Sequence, residues 1–222
     1  MADKPKRVRR AQGAGKNSKR DPRDRVVDAF MVLVAGGSFG SITFADIAAE
    51  ADISLVELRG LYATKAEILA DFTKRIDQAV LAEGLAEGEG ARDRLFDIMM
   101  RRFDALSLHK QAIRRLARAA RCDLGLASTL VRLNVRSQRW MFAAAGLRPR
   151  GLEGAIALRG AAVVFAEATR VWLTDDDPGQ GATMAALDRA LSRGDRVMRF
   201  LDDCRGMWSR AGSWKSNGAE AT

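Results

Sequence analysis

The sequence predicts an all-α chain. Apolar residues recur at three- and four-residue spacing in nearly every segment, no stretch alternates as a strand does, and Ser/Thr-x-x-Glu signatures mark helix starts at Ser54 and Thr64. With 222 residues and 47% apolar composition, the chain can bury a sizeable core without a disulfide scaffold. The expected organisation is a basic, disordered arm over 1–23, a three-helix module over 24–70, an all-helical body over 71–206 and a flexible tail over 207–222.

Element by element, "DRVVDAFMVLVAG" sets Val26, Phe30, Leu33 and Val34 on one helical face, and Gly36 and Gly37 end it. "TFADIAAEA" is a short second helix with Ile47 and Ala48 inward. Ala51, Asp52 and Ile53 make a turn of about three residues, in which Asp52 tolerates the left-handed conformation. Ser54 and Glu57 then form a capping box that opens a third helix, so the pair of short helices is a helix-turn-helix. Thr64 and Glu67 repeat the signature and launch a longer fourth helix from Lys65 to about Glu83.

The glycine-rich "EGLAEGEGARDR" interrupts the pattern and is a candidate boundary. Beyond it, "RDRLFDIMMRRFDAL" carries Leu95, Met99, Phe103 and Leu106 in a stripe, and "HKQAIRRLARAAR" carries Ile113, Leu116 and Ala120. A helix from about Leu126 to Ala145 stops at Gly146, with Pro149 just beyond. "GLEGAIALRGAAVVFAEATRVWL" is apolar on nearly all sides. After "TDDDPGQG", the last helix carries Met184, Leu187, Leu191, Met198 and Leu201. These two long helices form an antiparallel hairpin with more apolar surface than one protomer covers. Pairing two hairpins across a two-fold axis predicts a homodimer through the two C-terminal helices.

Charge is distributed unevenly. Residues 1–25 hold ten Lys and Arg against three Asp, so seven of the nine excess positive charges fall on a segment too polar to fold. Such an arm neutralises phosphate on a nucleic acid or a membrane, or serves only to solubilise. Cys122 and Cys204 follow no ligand spacing, no apolar run is long enough for a bilayer, and no secretory signal opens the chain, which points to the cytoplasm. His109 is the single histidine and has no nucleophile paired with it by spacing. The triplet Asp175, Asp176 and Asp177 reads as a solvated turn, and no phosphate loop or cofactor motif is present. Neither an enzyme nor a metal protein is expected.

Over residues 26–70, Ala29, Leu33, Ala35, Phe39, Thr43, Ile47, Ala48, Ala51, Ile53, Ser54, Leu58, Lys65 and Leu69 fall in register with a known pattern. In this the chain resembles the TetR/AcrR-type family of transcriptional regulators. The resemblance implies a TetR-like fold, a repressor that grips double-stranded DNA, and an apolar small-molecule ligand that releases it. The residues it implicates in DNA binding are Arg25, Thr43, Ser54, Leu55, Glu57, Arg59 and Lys65. The departures lie on the groove-facing surface. Val56 stands where the family usually has a small glycine, Arg59 where it has a phosphate-binding tyrosine, Tyr62 where a phenylalanine closes the motif, and Ser38 where a glycine precedes the aromatic. Of the exposed set, only Arg59 can pair bidentately with guanine, whereas Glu57 accepts only from a cytosine amine.

The run Trp172, Leu173, Asp175, Thr183, Met184, Leu187 and Asp188 is similar to lipid-binding proteins of ubiquinone biosynthesis, which use the same fold without reading DNA. That resemblance implies a lipid or isoprenoid accessory protein as the alternative function. Phe96, Met99, Phe103, Trp140 and Phe165 are the bulky candidates for an apolar ligand cavity, with Glu167, one turn from Arg170, to orient a head group. They serve equally as ordinary core. Trp208 and Trp214 in the tail suit a membrane surface, although a frayed terminus is the commoner explanation.

Overall fold

Asp21 and Pro22 open the first helix. The Asp21 carboxylate accepts from the Arg23 N–H at 2.9 Å, and Pro22 takes the first helical position, where its missing N–H is not needed. In the computed structural model, which describes residues 20–196, this helix (α1, Pro22–Gly36) therefore takes in Pro22 and Arg23, which the sequence periodicity leaves in the arm. The rest of the arm and the tail with Trp208 and Trp214 lie outside the described residues, as do Met198, Leu201 and Cys204.

A 3-10 turn (Phe39–Ser41) leads into α2 (Phe44–Glu50) and α3 (Leu55–Leu61). Asp52 has φ 54°, the left-handed conformation expected of the turn between them, and the Ile53 N–H closes it on the Ala48 carbonyl at 3.0 Å. Then follow α4 (Lys65–Ala82), α5 (Ala91–Leu106), α6 (Lys110–Ala119) after a 3-10 turn at Ser107–His109, α7 (Leu124–Ala144) and α8 (Gly151–Trp172). A ninth helix, α9, covers 181–196 up to the last described residue. No strand occurs among the described residues, so the all-α expectation holds.

α4 joins the two parts of the molecule. It packs on α1 at its N-terminal side and on α5 and α7 along its length, with Ile68, Leu69, Phe72 and Ile76 buried. α6 packs on α1, where Arg115 donates to the Gly37 carbonyl at 3.3 Å. One continuous apolar cluster extends from Val26 and Phe30 through Phe72 and Phe103 to Trp172 and Leu191. Each such side chain contributes roughly 1.5–3 kcal/mol by leaving water, so the module and the body are held together by the core itself.

The glycine-rich segment between α4 and α5 belongs to the body. The Ala86 N–H donates to the Ala144 carbonyl at 3.0 Å, and Arg94 Nε donates to the Ala145 carbonyl at 2.8 Å. Gly146, at φ 69°, ends α7 as expected. α8 and α9 form the antiparallel hairpin, pinned by ion pairs of Glu167 with Arg193 and, across to α5, of Asp188 with Arg92.

Candidate nucleic-acid interface

Two reciprocal capping boxes build the helix-turn-helix. At α2, the Asp46 N–H donates to Thr43 Oγ1 at 3.1 Å while the Thr43 N–H and hydroxyl donate to the Asp46 carboxylate at 2.8 and 2.7 Å. At α3, the Glu57 N–H donates to Ser54 Oγ at 3.1 Å, and the Ser54 N–H and hydroxyl donate to the Glu57 carboxylate at 2.8 and 2.9 Å. Those donors hold both carboxyls below their usual range, the backbone N–H of Thr43 and of Ser54 acting most strongly. Two acids therefore stay ionised beside the helix starts.

α3 presents a broad, sparsely charged face. Val56 is 83% exposed and Leu55 54%, and Glu57, Arg59 and Gly60 share the exposed surface while Leu58 is buried. Arg59 makes no hydrogen bond or ion pair among the described residues, which leaves its five donors available. Thr43 and Ser54 are exposed, but each hydroxyl proton is already given to the neighbouring carboxylate.

The other two cations implicated by the sequence turn inward. Arg25 Nη1 donates to the Ala51 and Asp52 carbonyls at 3.2 and 3.0 Å, capping the end of α2 where the helix dipole favours a cation. Lys65 Nζ donates to the Phe39 carbonyl at 3.3 Å and sits 5.1 Å from the Phe39 ring centroid. Both fasten the module through these contacts.

Several ties that sequence patterns did not disclose connect α1, α3 and α4. Tyr62, buried at the end of α3, donates to Asp71 at 2.6 Å, and Arg23 reaches the same carboxylate oxygen at 3.1 Å with its guanidinium 5.2 Å from the Tyr62 ring centroid. Arg75 pairs with Asp24 and Asp28, each at 2.7 Å. Except for Tyr62 and Asp71, nine residues apart, the partners lie about fifty residues apart, so spacing alone carries no signal of them.

The six candidate ligand residues do not line one cavity. Met99 and Phe103 are core, with the Phe103 ring stacked 4.7 Å from Phe165. Trp140 is 53% exposed in a groove between α4 and α7, whereas Phe96 is half-buried against the core. Glu167 pairs with Arg193 instead of Arg170, because α9 brings that guanidinium to it, and it borders a separate groove with Ile156 and Val163. Phe165 alone of the six lines the cavity of about 290 Å³ between α4, α5, α6, α7 and α8. Arg102 also lines it. Its position three residues after Met99 and four before Leu106 puts a cation on the buried stripe of α5, a signal present in the sequence.

An exposed, capped α3 on a three-helix module, mounted through α4 on a helical body with an apolar cavity open to solvent, defines a helix-turn-helix protein with an all-helical C-terminal body. No family model matches the chain, and no curated protein matches it in sequence. Among solved structures, the TetR transcriptional regulator from Nitrosomonas europaea ATCC 19718 superposes with a TM-score of 0.61 at 25% identity, covering 79% of this chain and 99% of that one. A TetR transcriptional regulator from Rhodococcus sp. RHA1 gives 0.58 at 16% identity, with 78% and 95% covered. A TetR-family transcriptional regulator from Streptomyces coelicolor gives 0.54 at 15%, with 85% and 89% covered. The chain has the TetR fold, spanning nearly the full length of these regulators.

The resemblance to lipid-binding proteins gains nothing from these comparisons, and the residues that carry it have work within the fold. Trp172 and Leu187 are buried in the core. Asp175 accepts from the Thr183 N–H and hydroxyl at 2.8 and 2.6 Å, closing the α8–α9 hairpin, and Asp188 pairs with Arg92.

Proposed function

We propose that the chain is a homodimeric TetR-type DNA-binding transcriptional regulator, a repressor released when a small molecule enters its helical body. The observation that carries this reading is the exposed α3 face bearing Arg59, which has no partner among the described residues, on a fold shared with solved regulators over 78–85% of this chain. Arg59 supplies direct readout, worth about 1–3 kcal/mol of discrimination at one guanine. Arg25 and Lys65 position the module, and the cations of the arm provide most of the phosphate grip, with affinity that falls steeply with salt.

Dimerisation joins the exposed faces of α8 and α9, where Ile156, Val163 and Met184 stand in water in the single chain. Two modules must sit about 34–36 Å apart to enter successive major grooves, so a small rotation of α4 on the body uncouples them from the operator. No helix among the described residues is long and apolar enough to cross a membrane.

Gel retardation of duplex carrying the chain's own upstream region tests the proposal. Wild-type protein retards it, and Arg59→Ala weakens retention by roughly five- to 150-fold. Equal retention by the variant removes the assigned readout. Sedimentation should give twice the mass of one chain, and monomer at micromolar concentration contradicts the paired hairpins.

A further inference from the structure

We infer that the cavity between α4 and α8 binds a small carboxylic acid with an apolar body, its carboxylate seated on the Arg102 guanidinium. The walls are apolar, formed by Leu69, Phe72, Leu106, Leu116, Leu130 and Phe165. Among the described residues two arginines, Arg102 and Arg170, line it and no carboxylate does, while Asp77 faces Arg102 from outside the lining.

Arg102 is 5% exposed, and neither its Nε nor its Nη1 has a hydrogen-bond partner among the described residues. Its Nη2 stands 3.8 Å from the Asp77 carboxylate, too far for a close hydrogen bond, and Asp77 already accepts from the Ser137 hydroxyl. The Phe165 ring holds the guanidinium from 4.5 Å. A guanidinium stays charged even when buried, and Asp77 balances this one only from 3.8 Å, which leaves donors that a carboxylate can satisfy.

Apart from the exposed Arg170, the other polar groups of the wall do not compete for that anion. Thr73 and Thr169 donate their hydroxyl protons to the Leu69 and Phe165 carbonyls at 2.9 and 2.7 Å, and Asn134 Nδ2 donates to the Ala162 carbonyl at 2.8 Å. A carboxylate fits the planar fork bidentately. The volume of about 290 Å³ lies at the small end of ligand cavities, which suits a short-chain or monocyclic acid.

The site also contains a coupling. Arg102 on α5 faces Asp77 on α4, the helix that carries the N-terminal module, so an incoming carboxylate draws the guanidinium away from Asp77 and loosens α4 from α5. This consequence for DNA rests on the function proposed above, whereas acid binding does not.

Calorimetry and thermal unfolding with straight-chain carboxylates from propanoate to decanoate and with benzoate, each against its uncharged primary amide, test the site. At least one acid should bind and raise the melting temperature, at least tenfold more tightly than its amide. Arg102→Gln should abolish the preference. Asp77→Asn, which frees the guanidinium, should tighten acid binding by roughly five- to 150-fold. No binding by any acid, equal binding of acid and amide, or undiminished acid binding by Arg102→Gln overturns the inference. If Arg102→Gln does not fold, Asp77→Asn decides, and unchanged or weaker acid binding there overturns it. Retention of DNA by ligand-free protein is measured separately, so failure of the acid site leaves the regulator standing and the reverse.

Discussion

The phenol of Tyr62 donates a 2.6 Å hydrogen bond to Asp71, joining the end of α3 to the second turn of α4. Burial and the neighbouring carboxylate push the phenol well above its ordinary ionisation range, against the weaker opposing pull of Arg23. The folded state therefore holds this proton where the unfolded state releases it near pH 10, so its contribution is complete below that pH and is lost as pH rises above it. Tyr62 is the single tyrosine, which makes the prediction readable by absorbance at 295 nm. Phenolate should emerge only together with unfolding, and a normal titration in folded protein would refute the assignment. Tyr62→Phe should cost about 1 kcal/mol at neutral pH and remove the alkaline loss.

Arg75 fastens α4 to α1 by bridging Asp24 and Asp28. All three side chains are partly exposed, so Arg75→Ala should lower stability by only about 1 kcal/mol, measured by urea unfolding. The difference between variant and wild type should shrink in molar salt. A salt-independent difference would mean that the loss comes from the packing of the stem.

His109 lies edge-on to Phe72, 4.9 Å between centroids, between the body and the base of α4. Burial lowers its pKa, Asp28 raising it and Arg75 lowering it further by smaller amounts. The unfolded chain thus binds a proton near pH 6.5 that the folded chain refuses, so stability is full above that pH and declines as pH falls through the depressed value. Comparing the urea midpoints of wild type and His109→Gln at pH 7.5 and 5.5 isolates this part. The variant should lose less on acidification, and equal losses would contradict the burial argument.

Much of the fold was legible because each helix carries its own local signal. The Ser54–Glu57 box, the left-handed Asp52 and the stop at Gly146 depend on neighbours within a few residues, and the period of the apolar stripes marks the buried faces. The start of α1 shows the limit of the periodic signal, since Asp21 and Pro22 cap the helix before its first apolar residue. The exposure of Val56 and Arg59 on α3 was equally legible, because burying Leu58 turns them away from the core, whereas Leu55, on the Leu58 side by spacing, is exposed as the first residue of the helix.

Where long side chains end was not legible. Arg25 and Lys65 sit at positions that suit phosphate contacts, yet tertiary neighbours offer their charges nearer partners, the carbonyls of the α2 turn and of Phe39. Bulk alone also failed to gather a ligand site. Trp140 and Glu167 line two separate grooves while Phe103 is in the core, and the cavity is marked instead by Arg102, a cation interrupting an apolar stripe.

The central claim is that a sparsely equipped α3 and a cationic arm together select a particular duplex. Competition anisotropy at about 150 mM salt tests it most directly, using labelled upstream-region duplex against unlabelled scrambled duplex of the same composition. Specific DNA-binding proteins exceed their non-specific affinity by about 10³-fold or more, and the account predicts a preference at the low end of that range that falls further with Arg59→Ala. Equal displacement by the scrambled duplex would contradict it.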